Sequence, residues 1–290
     1  MGLFMQTLIN GILIGGIFIT IAVGFSISYG VMHIVDFAVG EWIMLGAFTA
    51  FWLNMYTNVD PLLLIPFIAL FFALIGYLFQ PVIQKVVNIK HRSAAMMALA
   101  FTFGLSTLIR GSALTLWGFN NRNLITVLSE KNVDLFGITV PAIRAGATVF
   151  SILVTAAFAY FLYRTKTGIT IRAAAENKTV AGLMGIDGHR ISRLVYSIYV
   201  GLTAMSGVFI GSIFSVFPDM GLRYTAFAFF VVVAGGMGSF SGAIVAGLML
   251  GLISSFVSVY MGGAYVFLIL FFILYLILVF FPKGILGKGW

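Results

Sequence analysis

The sequence contains no cysteine, which excludes a disulfide framework and any thiol chemistry while leaving the compartment open. Charge is almost as scarce. Only 8% of residues are Asp, Glu, Lys or Arg, where a soluble domain has roughly a quarter, and 61% are hydrophobic. With a mean hydropathy of +1.13, the chain reads as a polytopic membrane protein. Its first residues, MGLFMQTLING, lack the basic segment and small-residue cleavage site of a signal peptide, so the first apolar run is expected to be a retained span. No G-x-x-x-x-G-K-[ST] string occurs, so the chain has no Walker A loop of its own. The net charge of +8 is scattered between apolar runs and lines no single face with interleaved aromatics, which discounts nucleic acid as a partner. The three histidines, His33, His91 and His189, stand far apart in sequence, and no nucleophile is paired with a base. A membrane enzyme is therefore the weakest reading.

What remains is a succession of apolar runs. A span takes about 20 apolar residues, and runs at 4–29, 37–53, 62–87, 94–117, 141–163, 191–216, 243–260 and 265–281 reach or approach that length. A further run at 224–234 is too short and leads into GGMGSFSG; such a break is tolerated at membrane depth only where protein or a water-filled cavity covers its backbone. The expected fold is all-α, one domain over 1–290 with eight or nine spans. Residues 118–139 read as a loop or short extramembrane hairpin. Placing 85–92, 164–193 and the carboxyl tail on one side collects eleven Lys or Arg there, against four on the other (Arg122, Lys131, Arg144, Arg223), so that side is expected to be cytoplasmic. Counting back puts the amino end outside.

The long interruption is 168–193, GITIRAAAENKTVAGLMGIDGHRISR. Seven charged residues, Lys166, Arg172, Glu176, Lys178, Asp187, Arg190 and Arg193, fall in or beside it. The alanines and the Arg172/Glu176 spacing predict one helix over 171–184, with Gly185 ending it and Asp187 capping the next. Its apolar residues Ile171, Ala175, Val180, Leu183 and Met184 are too few for a core of their own and must rest on the membrane domain or on another protein. A solvated loop helix is the plainer alternative.

Within the spans, His33, Asp36 and Glu41 are ionisable groups in or near the membrane, which makes them functional candidates. A metal site is disfavoured because no second cluster completes a shell. Asp36 and Glu41 fit equally a helix cap and first turn near residue 37, or the wall of a translocation path. IVDFAVGEWIMLGAF and MGSFSGAIVAGLMLG each place a break before a small-residue helix, the kind of internal echo from which many transporters are built. Gly235, Gly236, Gly238 and Ser239 form the second break, read either as backbone exposed to a path or as close packing. Ala243, Gly247, Gly251 and Ser255, like Gly207, Gly211 and Ser215, make small-residue packing faces, whether within the chain or toward a second subunit. Arg110 is expected to snorkel to the outer interface.

The string G-I-x-I-R-A-A-A-E-N followed by A-x-L-M-G-I-D resembles the cytoplasmic loop of the LivH-type permeases, the membrane subunits of branched-chain amino-acid ABC importers. YGVMHIVDFAVGEWIMLGAF at 29–48 and FVVVAGGMGSFSGAIVAGLMLG at 230–251 extend the resemblance over most of the chain. It implies a coupling loop at 164–193 that docks into an ATPase through Arg172, Glu176, Asn177, Leu183, Met184 and Gly185. It also favours a path near Asp36, Gly40, Glu41, Gly235, Gly236, Gly238 and Ser239. The implied partners are a second, LivM-like permease, two ATPase subunits holding ATP and magnesium, and a soluble solute-binding protein outside a bacterial cytoplasmic membrane, with no cofactor in this chain. The implied cargo is a branched-chain or other hydrophobic amino acid, although relatives with these motifs take urea, amides or small carboxylates. The rival is a self-sufficient proton-coupled carrier or channel using Asp36 or Glu41.

Overall fold

The longest helix, α1 (Gly2–Met32), carries no charged side chain and has 31 residues, about 46 Å at 1.5 Å per residue, against a hydrocarbon core of about 30 Å. It is the axis on which the other helices are laid. The computed structural model describes residues 2–87, 94–135 and 138–287. Over these the chain is helical apart from loops and one hairpin, with α2 (Val39–Thr57), α3 (Ile65–Val87), α4 (Ala94–Trp117), α5 (Ala142–Arg164), α6 (Lys166–Glu176), α7 (Lys178–Leu183), α8 (Gly188–Ile213), α9 (Met220–Gly235), α10 (Phe240–Tyr260) and α11 (Val266–Phe280). Seven of the described helices are long and apolar enough to cross a membrane. The 19-residue α2 and the shorter α9 complete the bundle, in keeping with the expected eight or nine.

The small-residue stripes pack within the chain. α10 runs antiparallel to α1, and a methyl placed on Gly251 would strike the Gly11 carbonyl, while one on Gly15 would meet the Leu248 backbone at 3.1 Å. Ser255 donates to the Thr7 carbonyl (2.8 Å), Thr148 of α5 donates to that of Leu13 (2.8 Å), and Ser151 donates to that of Gly16. Without water, close backbone approach and such hydroxyl bonds hold apolar helices together. α8 fills the middle. Its Gly207 lies against the Ile43 carbonyl of α2, its Gly201 against Ala69 of α3, and its Ser197 donates to the Ala73 carbonyl at 2.6 Å.

The bundle has two distinct ends. At one, β1 (Asn132–Leu135) and β2 (Ile138–Pro141) pair antiparallel with Val133 opposite Val140, the hairpin expected there. Beside it, Arg122 pairs with Val216 through two backbone bonds and lays its guanidinium over Trp52 at 4.8 Å. The other end gathers the last turns of α1 and α5, the α9–α10 junction, α6, α7 and the carboxyl tail: Gly30 lies beside Gly238, Tyr163 meets Phe240, and Ile285 bonds to Ala234. Lys85 belongs to α3; Lys90, Arg92 and Lys288, which the charge count also used, lie outside the described residues, as does His91.

One expectation gains a detail and one needs correction. Arg110, expected to reach the outer interface, has its Nε 3.9 Å from Oδ1 of the half-exposed Asp219 in the turn before α9. The helix expected over 171–184 is two helices: Asn177 is extended, and its side chain accepts the Thr179 and Val180 N–H groups (3.0 Å each), so it ends α6 and caps α7.

Candidate functional site

The coupling stretch is built from caps. Thr165 accepts the Gly168 N–H at 3.0 Å to start α6, Gly185 at φ +84° ends α7 in the left-handed region, and Asp187 accepts the His189 and Arg190 N–H groups to start α8. The Arg190 backbone N–H is also the main reason the Asp187 carboxyl sits below its ordinary range. One side of the unit is seated on the bundle, with Ile171, Ala174 and Ala181 buried. The other side is bare: Val180 is 53% exposed, Leu183 83% and Met184 80%.

The implied coupling residues divide accordingly. Glu176, Asn177, Leu183, Met184 and Gly185 are exposed. Arg172 is turned inward, donating from Nε to the Leu162 carbonyl at 3.1 Å with its guanidinium 4.8 Å over Tyr163. A cation on the free carbonyls of a helix C-terminus is favourable, so Arg172 fixes α6 on α5 and makes no ion pair with Glu176.

The second site is the start of α2. Residues 33–38 are not helical, and His33 adopts φ 52°. Asp36 is buried: Oδ1 accepts the Ala38 N–H at 2.8 Å, and Oδ2 accepts the hydroxyls of Tyr196 (3.0 Å) and Tyr199 (3.2 Å) on α8. The break's carbonyls are served from other helices, Val35 by Thr102 (3.2 Å) and Phe37 by Thr225 (3.4 Å), as backbone away from water requires. Gly40 donates to Thr225 Oγ1 at 3.0 Å, and a methyl on it would enter the Gly221 carbonyl. That close approach lets α2 cross α9. Glu41, fully buried in the first turn, accepts from Ser106 at 3.1 Å through Oε1, while Oε2 lies against Gly221 without a hydrogen-bond partner.

The third site is the glycine break. Gly236 (φ +104°) and Gly238 (φ +87°) need the freedom of glycine, and Ser239 caps α10 by accepting the Gly242 N–H at 3.1 Å. Gly235, Gly236, Gly238 and Ser239 are all buried, so close packing describes them. The Ile285 and Leu286 N–H groups donate to the Ala234 and Gly235 carbonyls (2.9 and 3.1 Å), so the carboxyl tail satisfies the end of α9. Nothing in the sequence pointed to that latch. The two breaks of the internal echo meet at one end only: Gly30, just before the break at 33–38, lies beside Gly238, while Gly40, just after it, lies at Gly221, fifteen residues or about 22 Å before Gly236. Among the described residues no group of three or more His, Cys, Asp or Glu is placed to hold a metal.

A family model described as the permease component of the branched-chain amino acid transport system matches residues 7–279. The chain belongs to that family. The LivH permease protein of the high-affinity branched-chain amino acid transport system of Salmonella typhimurium is 27% identical over 98% of this chain and 96% of its own. The BraD protein of the corresponding Pseudomonas aeruginosa system is 28% identical over the same shares. The ribose import permease protein RbsC of Escherichia coli is 28% identical over 60% of this chain and 55% of its own. PsaBC from Streptococcus pneumoniae, solved in complex with a Fab, covers 99% of this chain and 94% of its own at 15% identity and a TM-score of 0.48, too distant to bear on function. As a member of this branched-chain amino acid permease family, the chain is a membrane transport subunit, not an enzyme, and the transporter's ATPase activity lies in separate subunits. The proton-coupled carrier reading draws no support from these relatives.

Proposed function

We propose that this permease carries a branched-chain or related hydrophobic amino acid inward across a bacterial cytoplasmic membrane. It works beside a second, LivM-like permease, above two ATPase subunits that hold ATP and magnesium, and below a solute-binding protein. The carboxyl tail and 164–193 face the cytoplasm. The exposed Val180, Leu183 and Met184 carry this reading, because three neighbouring apolar side chains outside the span are a docking surface more naturally than a solvated one. Glu176 and Asn177 rim the apolar patch. Asp36, Gly40 and Glu41 belong to the α2–α9 crossing that moves when the loop is pushed, and Gly235, Gly236, Gly238 and Ser239 to the joint at its other end.

Co-purification after mild detergent extraction tests the reading. An ATPase subunit should come with the wild-type chain and be lost from Glu176→Arg and Met184→Asp, with uptake of labelled leucine lost in parallel. A chain that purifies alone and moves solute along a proton gradient would refute it.

A further inference from the structure

A cavity of about 310 Å³ opens toward the hairpin end between α1, α5, α9 and α10, far from the coupling stretch. Two arginines line it, Arg144 of α5 and Arg223 of α9, and no carboxylate does. The ion pairs found among the described residues are Arg110–Asp219 and Arg190–Asp187, so neither cavity arginine has an acidic partner. Arg144 is half-buried, and one of its five N–H donors is used, from Nη1 to Asn10 Oδ1 at 3.0 Å. Arg223 lies 5.6 Å over the Phe227 ring, which fixes the guanidinium and leaves its edge free. Ser254 adds a buried hydroxyl with no hydrogen-bond partner. Phe18 and Phe227 give the same cavity apolar walls.

A half-buried cation without an acidic partner, Arg144, shares the cavity with a second, exposed cation, Arg223, and an anion between them would be favoured by both. Forked guanidinium donors from two helices and a hydroxyl from a third line this one cavity, a donor set that suits a tetrahedral oxyanion. We propose that this cavity binds a phosphate group, carried by an anionic phospholipid or free in solution. The half-exposed Val259 at the cavity wall offers an acyl chain a surface continuous with the spans. The site does not depend on the identity of the transported solute.

The test uses the full chain, delipidated in detergent and followed by its thermal midpoint, which a ligand of the folded state raises. The probes are dioctanoyl phosphatidylglycerol, dioctanoylglycerol with the same chains but no phosphate, and inorganic phosphate. Phosphatidylglycerol should raise the midpoint, dioctanoylglycerol should not, and Arg223→Gln should raise the half-saturating concentration about tenfold, the effect of one lost charge-assisted bond. Arg144→Gln should abolish the shift; if that variant does not fold, the exposed Arg223 carries the test alone. An equal shift with inorganic phosphate assigns the site to the free anion. Equal shifts with dioctanoylglycerol, no shift with either phosphate probe, or an unchanged response in Arg223→Gln would overturn the proposal.

Discussion

Glycine is used in opposite ways at the α2–α9 crossing and at the end of α7 in the coupling stretch. At the crossing, a methyl on Gly40 enters the Gly221 carbonyl and one on Gly221 enters the Glu41 carboxylate; at Gly182 and Gly185 an added methyl meets nothing within 4 Å. The crossing is closed, its polar groups served by α4, α8 and α9 except for Glu41 Oε2, which is buried without a partner. The coupling stretch is unfinished, capped at every turn yet bare on one side. The difference separates a crossing closed by backbone contact within the chain from an α6–α7 face that the chain leaves bare.

The largest effect should come from overfilling the finished region. Gly40→Val should cost about 3 kcal/mol or more, because the obstacle is backbone that cannot turn aside, and size-exclusion chromatography in detergent should show loss of the folded chain. Gly182→Ala should leave the elution profile unchanged. Next comes Leu183→Asp, expected to weaken the ATPase complex by about 2 kcal/mol or more while the chain's own thermal midpoint stays put. A falling midpoint would mean that the face is packed against the bundle after all.

Asn177→Ala should remove about 1 kcal/mol of capping from α7 and weaken the complex partially, read by titrating the ATPase subunit against the variant. The smallest effect is that of pH. Because the Asp187 carboxyl is held below its ordinary range, its cap is fully present above the unfolded value of about 3.9 and is lost as pH falls through the lower folded value. Protection of the His189 and Arg190 amides, relative to the intrinsic exchange rate at each pH, should fall at low pH in the wild type, and Asp187→Asn should flatten that dependence.

Spans were legible because a bilayer demands long apolar runs, and 94–117 matches α4 residue for residue. The caps at Gly185 and Asp187 were legible because they are local. The contact of Arg172 with the end of α5 was not legible, because spacing shows which residues share a helix face and not what that face meets. Asn177 hid a break because its neighbours are good helix formers. The pairs Arg144–Asn10 and Ile285–Ala234 are distant in sequence and carry no periodic signal. The internal echo is a pattern in sequence, and contacts, not pattern, set where its two breaks lie.

The absence of cysteine makes the central claim directly measurable. With Leu183→Cys as the sole thiol, labelling by a bulky maleimide is compared in membranes containing the chain alone and in membranes where it is coexpressed with its ATPase subunits. The account predicts rapid labelling alone and strong protection in the assembly, with Gly182→Cys behaving alike. Equal labelling in both would contradict it, because the bare face of α7 would then be facing water in the working transporter.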